Sequence, residues 1–201
     1  MIDLYFAPTG NGKRAAVALA ESGLAYRILP VDFAAKPAEL LRLNPIGHIP
    51  VMVDPDGPGG APLVLAQSGA ILLHVAEKTG RFIPADPARR AVAMQWFMQA
   101  CSDVAGASAA WFMAGNDFPE KSDANRAFLA KRLVDFFRAC DGRLEGRDYL
   151  ADEISVADLA LYPFFVGRRA LLEQAGGLDN LMRWGARLGE RPGVARGMAG
   201  Q

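Results

Sequence analysis

Asn44-Pro45-Ile46-Gly47-His48-Ile49-Pro50-Val51-Met52-Val53-Asp54 sets two prolines and a glycine directly against a β-branched apolar run. A residue before proline is pushed out of the right-handed helical region, so Asn44-Pro45 ends whatever helix precedes it. Pro50 has no N–H to give to a sheet ladder, which suits it to the first position of a strand. The stretch therefore predicts a rigid corner followed by a short strand. Such a corner leaves the N–H and C=O of Ile49 without sheet partners. Shielded backbone groups need partners, and an extended, peptide-like ligand supplies them.

Upstream, residues 2–6 alternate, with Ile2, Leu4 and Phe6 on one face and Asp3 and Tyr5 on the other. The turn formers Ala7-Pro8-Thr9-Gly10-Asn11-Gly12 break this strand. A helix is predicted over 13–22 with Gly23 as its stop, then a second strand over 26–31. A strand–helix–strand opening of this length favours parallel pairing. Residues 37–43 read as a short helix with Pro37 in its first turn. Beyond the corner, 51–54 and 63–66 pair as a hairpin around Asp56-Gly57-Pro58-Gly59-Gly60. A helix over 68–79 closes at Gly80. The order β-α-β-α-β-β-α is that of a thioredoxin-like domain over residues 1–80.

Residues 81–87 carry two prolines and read as a linker. Residues 88–201 read as helical throughout. One seam, expected to be core, runs through Met94, Phe97, Met98, Cys101, Val104, Ala105, Ser108 and Phe112. The next helix shows Leu129, Leu133, Phe136, Phe137, Cys140 and Leu144 at helical spacing. Ser155-Val156-Ala157-Asp158 reads as a capping box in which each side chain meets the other residue's N–H. Pro163 is expected to kink the helix that follows.

The 22 basic residues balance 22 acidic ones, so no net field recruits nucleic acid or an anionic membrane surface. Cys101 and Cys140 form no C-x-x-C pair and read as core thiols. No apolar run reaches the roughly 20 residues that span a bilayer. No basic leader with a cleavage site precedes the first strand. A cytoplasmic protein without membrane or nucleic-acid partners is the expectation. The two histidines, His48 and His74, stand apart, and no Cys/His/Asp cluster marks a metal site.

Asn-Pro-x-Gly-x-Ile-Pro-x-Val-x-Asp at 44–54, Gln67-Ser68, Ser155-x-x-Asp158 and the Leu181/Trp184/Leu188 helix before Arg191-Pro192 together resemble glutathione S-transferases over nearly the whole chain. The opening, with Thr9, Asn11 and Gly12 after the first strand, is similar to the bacterial Nu class, close to fungal Ure2-like proteins. The resemblance implies a thioredoxin-like α/β domain over 1–80 and an all-α bundle over 88–201. It also implies a cis Ile49–Pro50 bond, a homodimer, and glutathione as co-substrate with no metal. Thr9 and Asn11 take the catalytic role, while Asn11, His48, Ile49, Pro50, Gln67 and Ser68 bind glutathione, with Lys36 a further candidate for its glycyl end. Trp111, Phe112 and Met113 are the candidates for an acceptor pocket. Tyr5 stands as rival catalyst, and Asp103 as a ligand-facing residue across a dimer. His74 is read as structural. Many relatives carry Glu where this chain has Gln67, which removes a negative charge that would meet the γ-glutamyl ammonium.

The implied activity is attack by a glutathione thiolate on a disulfide or a small electrophile. A thiol of pKa ~8.5 needs about 2.7 kcal/mol of preferential stabilisation to become a thiolate two units lower. Thr9 Oγ, the Asn11 amide and N–H groups at the helix start are suited to share that work. The alternative is a non-catalytic protein that keeps the fold as a binding or regulatory module.

Overall fold

β1 (Ile2–Phe6) buries Ile2, Leu4 and Phe6 on one face, as its alternation predicts. It lies at the centre of a four-stranded sheet of order β2-β1-β3-β4, with β2 at Tyr26–Pro30, β3 at Val51–Asp54 and β4 at Leu63–Ala66. β2 runs parallel to β1, with Ile2 opposite Tyr26. β3 is antiparallel to both β1 and β4, with Val51 opposite Tyr5 on one side and Ala66 on the other. The computed structural model describes residues 1–201, which divide into two units: 1–83 with 189–201, and 84–188.

In the first unit, α1 (Gly10–Ser22) begins three residues earlier than the apolar pattern suggests. Thr9 is its N-cap, accepting the Gly12 N–H at 3.1 Å. Ala15 through Leu19 are all buried, because α1 is packed by α3 (Ser68–Thr79) and by α10 (Pro192–Ala199). A Cβ on Gly197 would lie 2.4 Å from Val17 Cα, so glycine alone lets α10 approach. Glu21 fastens the pair, accepting Arg191 Nη2 at 2.6 Å and the Val194 N–H at 3.0 Å. The helical half expected over 88–201 therefore ends short. Gly189–Gln201 fold with the first unit, since the surface that Gly193, Val194 and Gly197 fit is on α1. α2 (Ala38–Leu43) buries Leu40 and stops at Asn44, as Pro45 dictates.

In the second unit, α4 (Pro87–Gln99) passes through a π turn (Ala100–Val104) into α5 (Ala105–Asn116). Ala93, Phe97, Ala100, Val104 and Ser108 form the buried stripe. Met98 and Phe112, expected in that seam, are 52% and 48% exposed. Met98 follows buried Phe97 by one residue, about 100° round the helix, and beyond Ser108 the buried face passes to Ala114, leaving Phe112 outside it. α6 (Asp123–Arg143) buries Leu133, Phe137 and Cys140. α7 (Val156–Gly167), wholly buried from Val156 through Phe165, runs through Pro163 without a break. α8 (Arg169–Ala175) and α9 (Asp179–Gly189) follow. Trp184 of α9 meets Phe165 and Tyr162 edge-on, with ring centroids 5.6 and 6.0 Å apart.

The start of α7 carries the predicted capping box, centred on the carboxylate. Asp158 Oδ2 accepts both the Ser155 N–H and the Ser155 hydroxyl at 2.9 Å. Its Oδ1 accepts the Leu150 N–H at 3.0 Å and Trp184 Nε1–H at 2.9 Å. One side chain thus joins α7, α9 and the loop before α7. No helix is long and apolar enough to cross a membrane.

Candidate active site

The first unit gathers three backbone features: the β1–α1 turn, the entry to β3 and the start of α3. Helical N–H groups in the first turn lack intrahelical acceptors, and in α1 Thr9 Oγ accepts that of Gly12. Thr9 Oγ thereby acts as an acceptor within the chain and keeps its own proton to donate outward. The N–H groups of Gly10 and Asn11 remain at the positive end of the helix dipole. Gly12 is required here, because a Cβ would fall 2.1 Å from the Ala7 carbonyl oxygen.

The second feature is the opening corner. Ile49–Pro50 is cis, and both residues are buried. Ile49 packs with Ala7, Val31, Leu40 and Val51, which locks the corner under the β1–α1 turn. Asn44 Nδ2 donates to the His48 carbonyl at 2.9 Å, and the Gly47 N–H to the Asn44 carbonyl at 2.7 Å. None of the loop and turn hydrogen bonds involves the Ile49 backbone. The His48 side chain is exposed. Gly47, at φ 68°, lies against Lys36, whose Nζ is 3.3 Å from where a Cβ would stand.

The third feature is Gln67-Ser68. Gln67 precedes α3 at φ 71° and ψ 111°, a region sparsely populated by residues other than glycine and costing of order 1–3 kcal/mol. Its side chain is exposed, and α3 starts at Ser68. Ser68 is buried and accepts Arg14 Nε at 2.7 Å, and its hydroxyl faces Asn11 Oδ1 at 3.4 Å. Arg14 is 5% exposed. A guanidinium from α1 thus holds the first residue of α3, which in turn reaches the first turn of α1. Sequence reasoning missed Arg14, since an arginine inside a helix carries no motif. Nothing in the sequence sets it apart, since Lys13 carries the same charge beside it.

Residues 2–77 match the family description "Glutathione S-transferase, N-terminal domain". Disulfide-bond oxidoreductase YfcG of Escherichia coli is 33% identical over an aligned length of 212, covering 98% of this chain and 94% of that protein. The chain belongs to the glutathione S-transferase family. Among solved members, a glutathione transferase from Burkholderia graminis, determined with two glutathione molecules bound per subunit, superposes with a TM-score of 0.89. It is 32% identical, and the match covers 98% of this chain and 87% of that one. A glutathione transferase from Pseudomonas putida, with one glutathione disulfide bound per subunit, gives a TM-score of 0.87 at 32% identity, over 98% and 90% of the two chains.

Thr9, Asn11, Ile49, Pro50, Gln67 and Ser68 all lie in the first unit, on the three features just described. Tyr5 packs on the same cluster that holds the corner, with Ala7, Leu40, Ile49 and Val51. Burial, then Glu39 and Asp3, raises its pKa above the usual phenol range. His74 pairs with buried Asp54 at 2.8 Å and ties α3 to the end of β3. In the second unit, Asp103 lies on the π turn and lines a 250 Å³ cavity with Ser102, Arg132 and Phe136. Trp111 is half-buried beneath two guanidiniums, with Arg126 Cζ 5.2 Å and Arg168 Cζ 5.0 Å from its ring centroid. Each such contact is worth about 0.5–2 kcal/mol. Phe112 and Met113 are exposed on α5. No three His, Cys, Asp or Glu side chains gather as a metal ion requires.

Proposed function

We propose that this family member binds glutathione along Ile49-Pro50 and Ser68 and activates its thiol at Thr9 and Asn11. The carrying observation is the Arg14–Ser68–Asn11 connection, which joins the start of α3 to the first turn of α1 within one unit. Ile49 offers an unpaired N–H and C=O to the cysteinyl backbone of the tripeptide. The α3 start offers N–H groups and a dipole to the γ-glutamyl carboxylate. Thr9 O–H, the Asn11 amide and the N–H groups of Gly10 and Asn11 stabilise the thiolate. His48 and Lys36 serve the glycyl end.

The thiolate attacks one sulfur of a disulfide, forming a mixed disulfide and expelling the other sulfur as thiolate. A second glutathione then releases the remaining thiol and leaves glutathione disulfide. Two glutathione molecules supply both electrons, and no protein cysteine takes part. Similarity to a disulfide-bond oxidoreductase supports this reaction over conjugation to an electrophilic carbon. A cytoplasmic homodimer belongs to the same reading.

Thr9→Ala combined with Asn11→Ala removes two of these donors. Losing about 2.7 kcal/mol corresponds to roughly 100-fold, so reduction of hydroxyethyl disulfide is expected to fall about that far. Unchanged rates with this substrate and with chlorodinitrobenzene would assign the chemistry elsewhere. One observation favours a non-catalytic binding protein instead: Gln67 brings no charge to the glutathione ammonium. Calorimetric binding of glutathione without turnover of either substrate is the outcome that selects it.

A further inference from the structure

The hydroxyl of Ser68 has one proton to give and two lone pairs to offer. Arg14 stands on α1 one turn beyond Asn11, and its guanidinium carries donors only. At 2.7 Å between Arg14 Nε and Ser68 Oγ, the serine is therefore the acceptor. Arg14 and Ser68 are 5% and 3% exposed, so the serine proton needs a partner inside the chain. That partner is Asn11 Oδ1, at 3.4 Å. The contact is long, as those of a reaction centre often are before the ligand arrives.

The direction of this chain of hydrogen bonds decides how the Asn11 amide stands. With its NH2 group turned to Ser68, the serine would accept twice and its own proton would be stranded. A buried donor left so carries its full desolvation penalty. With Oδ1 turned to Ser68, both Nδ2–H donors are turned away from it, on a residue that is exposed. A flipped amide would set its oxygen against a thiolate and turn attraction into repulsion. The same count withholds the serine hydroxyl from a second task. Its proton is given to Asn11, so a carboxylate at the start of α3 is left to the first-turn N–H groups.

We propose that Arg14 is a positioning residue: through Ser68 it fixes the Asn11 amide with its N–H donors toward the glutathione sulfur. The role rests on the thiolate reading above and adds to it a residue that acts on the sulfur only through two others. All three side chains belong to the first unit.

The readout is the pKa of the glutathione thiol in the complex, taken from the ultraviolet absorbance of the thiolate as pH is varied. Asn11→Ala removes the donor and is expected to raise that pKa by about one unit, as loss of a hydrogen bond to a charged group does. Arg14→Met is expected to raise it comparably in the otherwise unsubstituted chain and to add nothing in the Asn11→Ala background. An equal shift in both backgrounds is the mark of a merely structural role and overturns the proposal. So does no shift from Arg14→Met where Asn11→Ala produces one. An Asn11→Ala chain whose bound thiol keeps its pKa takes Asn11 out of the chemistry, and the thiolate reading falls with the proposal. Ser68→Ala breaks the same chain while leaving the guanidinium in place, and carries the test should Arg14→Met fail to fold. It is expected to raise the thiol pKa as Asn11→Ala does. Its Kd for S-methylglutathione, which has no thiol, is expected to change less than about two-fold, because the first-turn N–H groups remain. A Kd weakened about ten-fold or more with an unmoved thiol pKa puts the hydroxyl on the γ-glutamyl carboxylate and overturns the proposal.

Discussion

Asp54 and Asp158 are both buried carboxylates that knit one unit together, at 1% and 0% exposure, yet their acidities move in opposite directions. Burial is the largest influence on each and raises both pKa values. Asp54 faces the His74 imidazole at 2.8 Å, the Lys78 ammonium at 3.0 Å and the Asp56 N–H at 3.0 Å. Those partners outweigh burial, and its pKa lies below the ordinary 3.8. Asp158 has four donors at 2.9–3.0 Å, none of them a cation, and its pKa lies above 3.8. The number of hydrogen bonds does not set the direction; the deeper burial of Asp158 and the lack of a cation among its donors do. The first corner is an electrostatic joint, the second a joint of geometry.

Replacing Asp158 by Ala breaks the second joint and has the largest expected effect. It strands the N–H groups of Leu150, Ser155 and Trp184 in a dry interior, each costing about 1–3 kcal/mol. A loss of roughly 4 kcal/mol in urea unfolding is expected, near the upper end for single substitutions. A loss under about 1 kcal/mol would mean that these donors find other acceptors. Asp54→Asn keeps the shape of the first joint and removes its charge, costing about 1–2 kcal/mol at neutral pH. The pH dependence sharpens the contrast. A depressed folded pKa gives Asp54 a stabilising contribution that is full above 3.8 and fades as pH falls through its lower folded value. Asp158 has the reverse slope: its raised folded pKa makes stability fall as pH rises from 3.8 through that value. Between pH 6 and 3, Asp54→Asn is therefore expected to lose less stability than the unsubstituted chain. An equal loss in both would break the comparison. The smallest effect is on Cys140, whose thiol is pushed up to about 12 by burial first, then by Asp158 and Asp141. It is expected to resist iodoacetamide at pH 8 in the folded chain, and rapid labelling would show that its surroundings open.

The two joints also differ in how far they were legible beforehand. Ser155-x-x-Asp158 announces itself, because a capping box needs both residues at fixed spacing and local geometry does the rest. Leu150 and Trp184 as further partners of the same carboxylate were invisible, since they join it through tertiary packing. Asp54, His74 and Lys78 carry no local signature and meet only when α3 docks on the sheet. The candidate site divides the same way. Thr9, Asn11, Pro50 and Ser68 were read from turn chemistry and from family resemblance. Arg14, which links two of them, could be found only once α1 and α3 were side by side. In the helical unit the predicted seam was drawn too wide, since only one narrow stripe through Phe97, Ala100, Val104 and Ser108 is buried and Met98 and Phe112 lie beside it. Trp111 was picked out as an aromatic, but the two arginines over it come from helices distant in sequence.

The packing of α10 on α1 sets the order in which the chain becomes whole during synthesis. The sheet, α1 and α3 leave the ribosome first, while the helix that covers Val17 and binds Glu21 is still uncoded by any emerged residue. All of Pro84–Leu188 must be made in between, which takes about 5–20 s at roughly 5–20 residues per second. For that interval an apolar face of α1 stands open to water and to chaperones. The helical unit, contiguous in sequence, can finish first, so the half that is translated earlier is completed later.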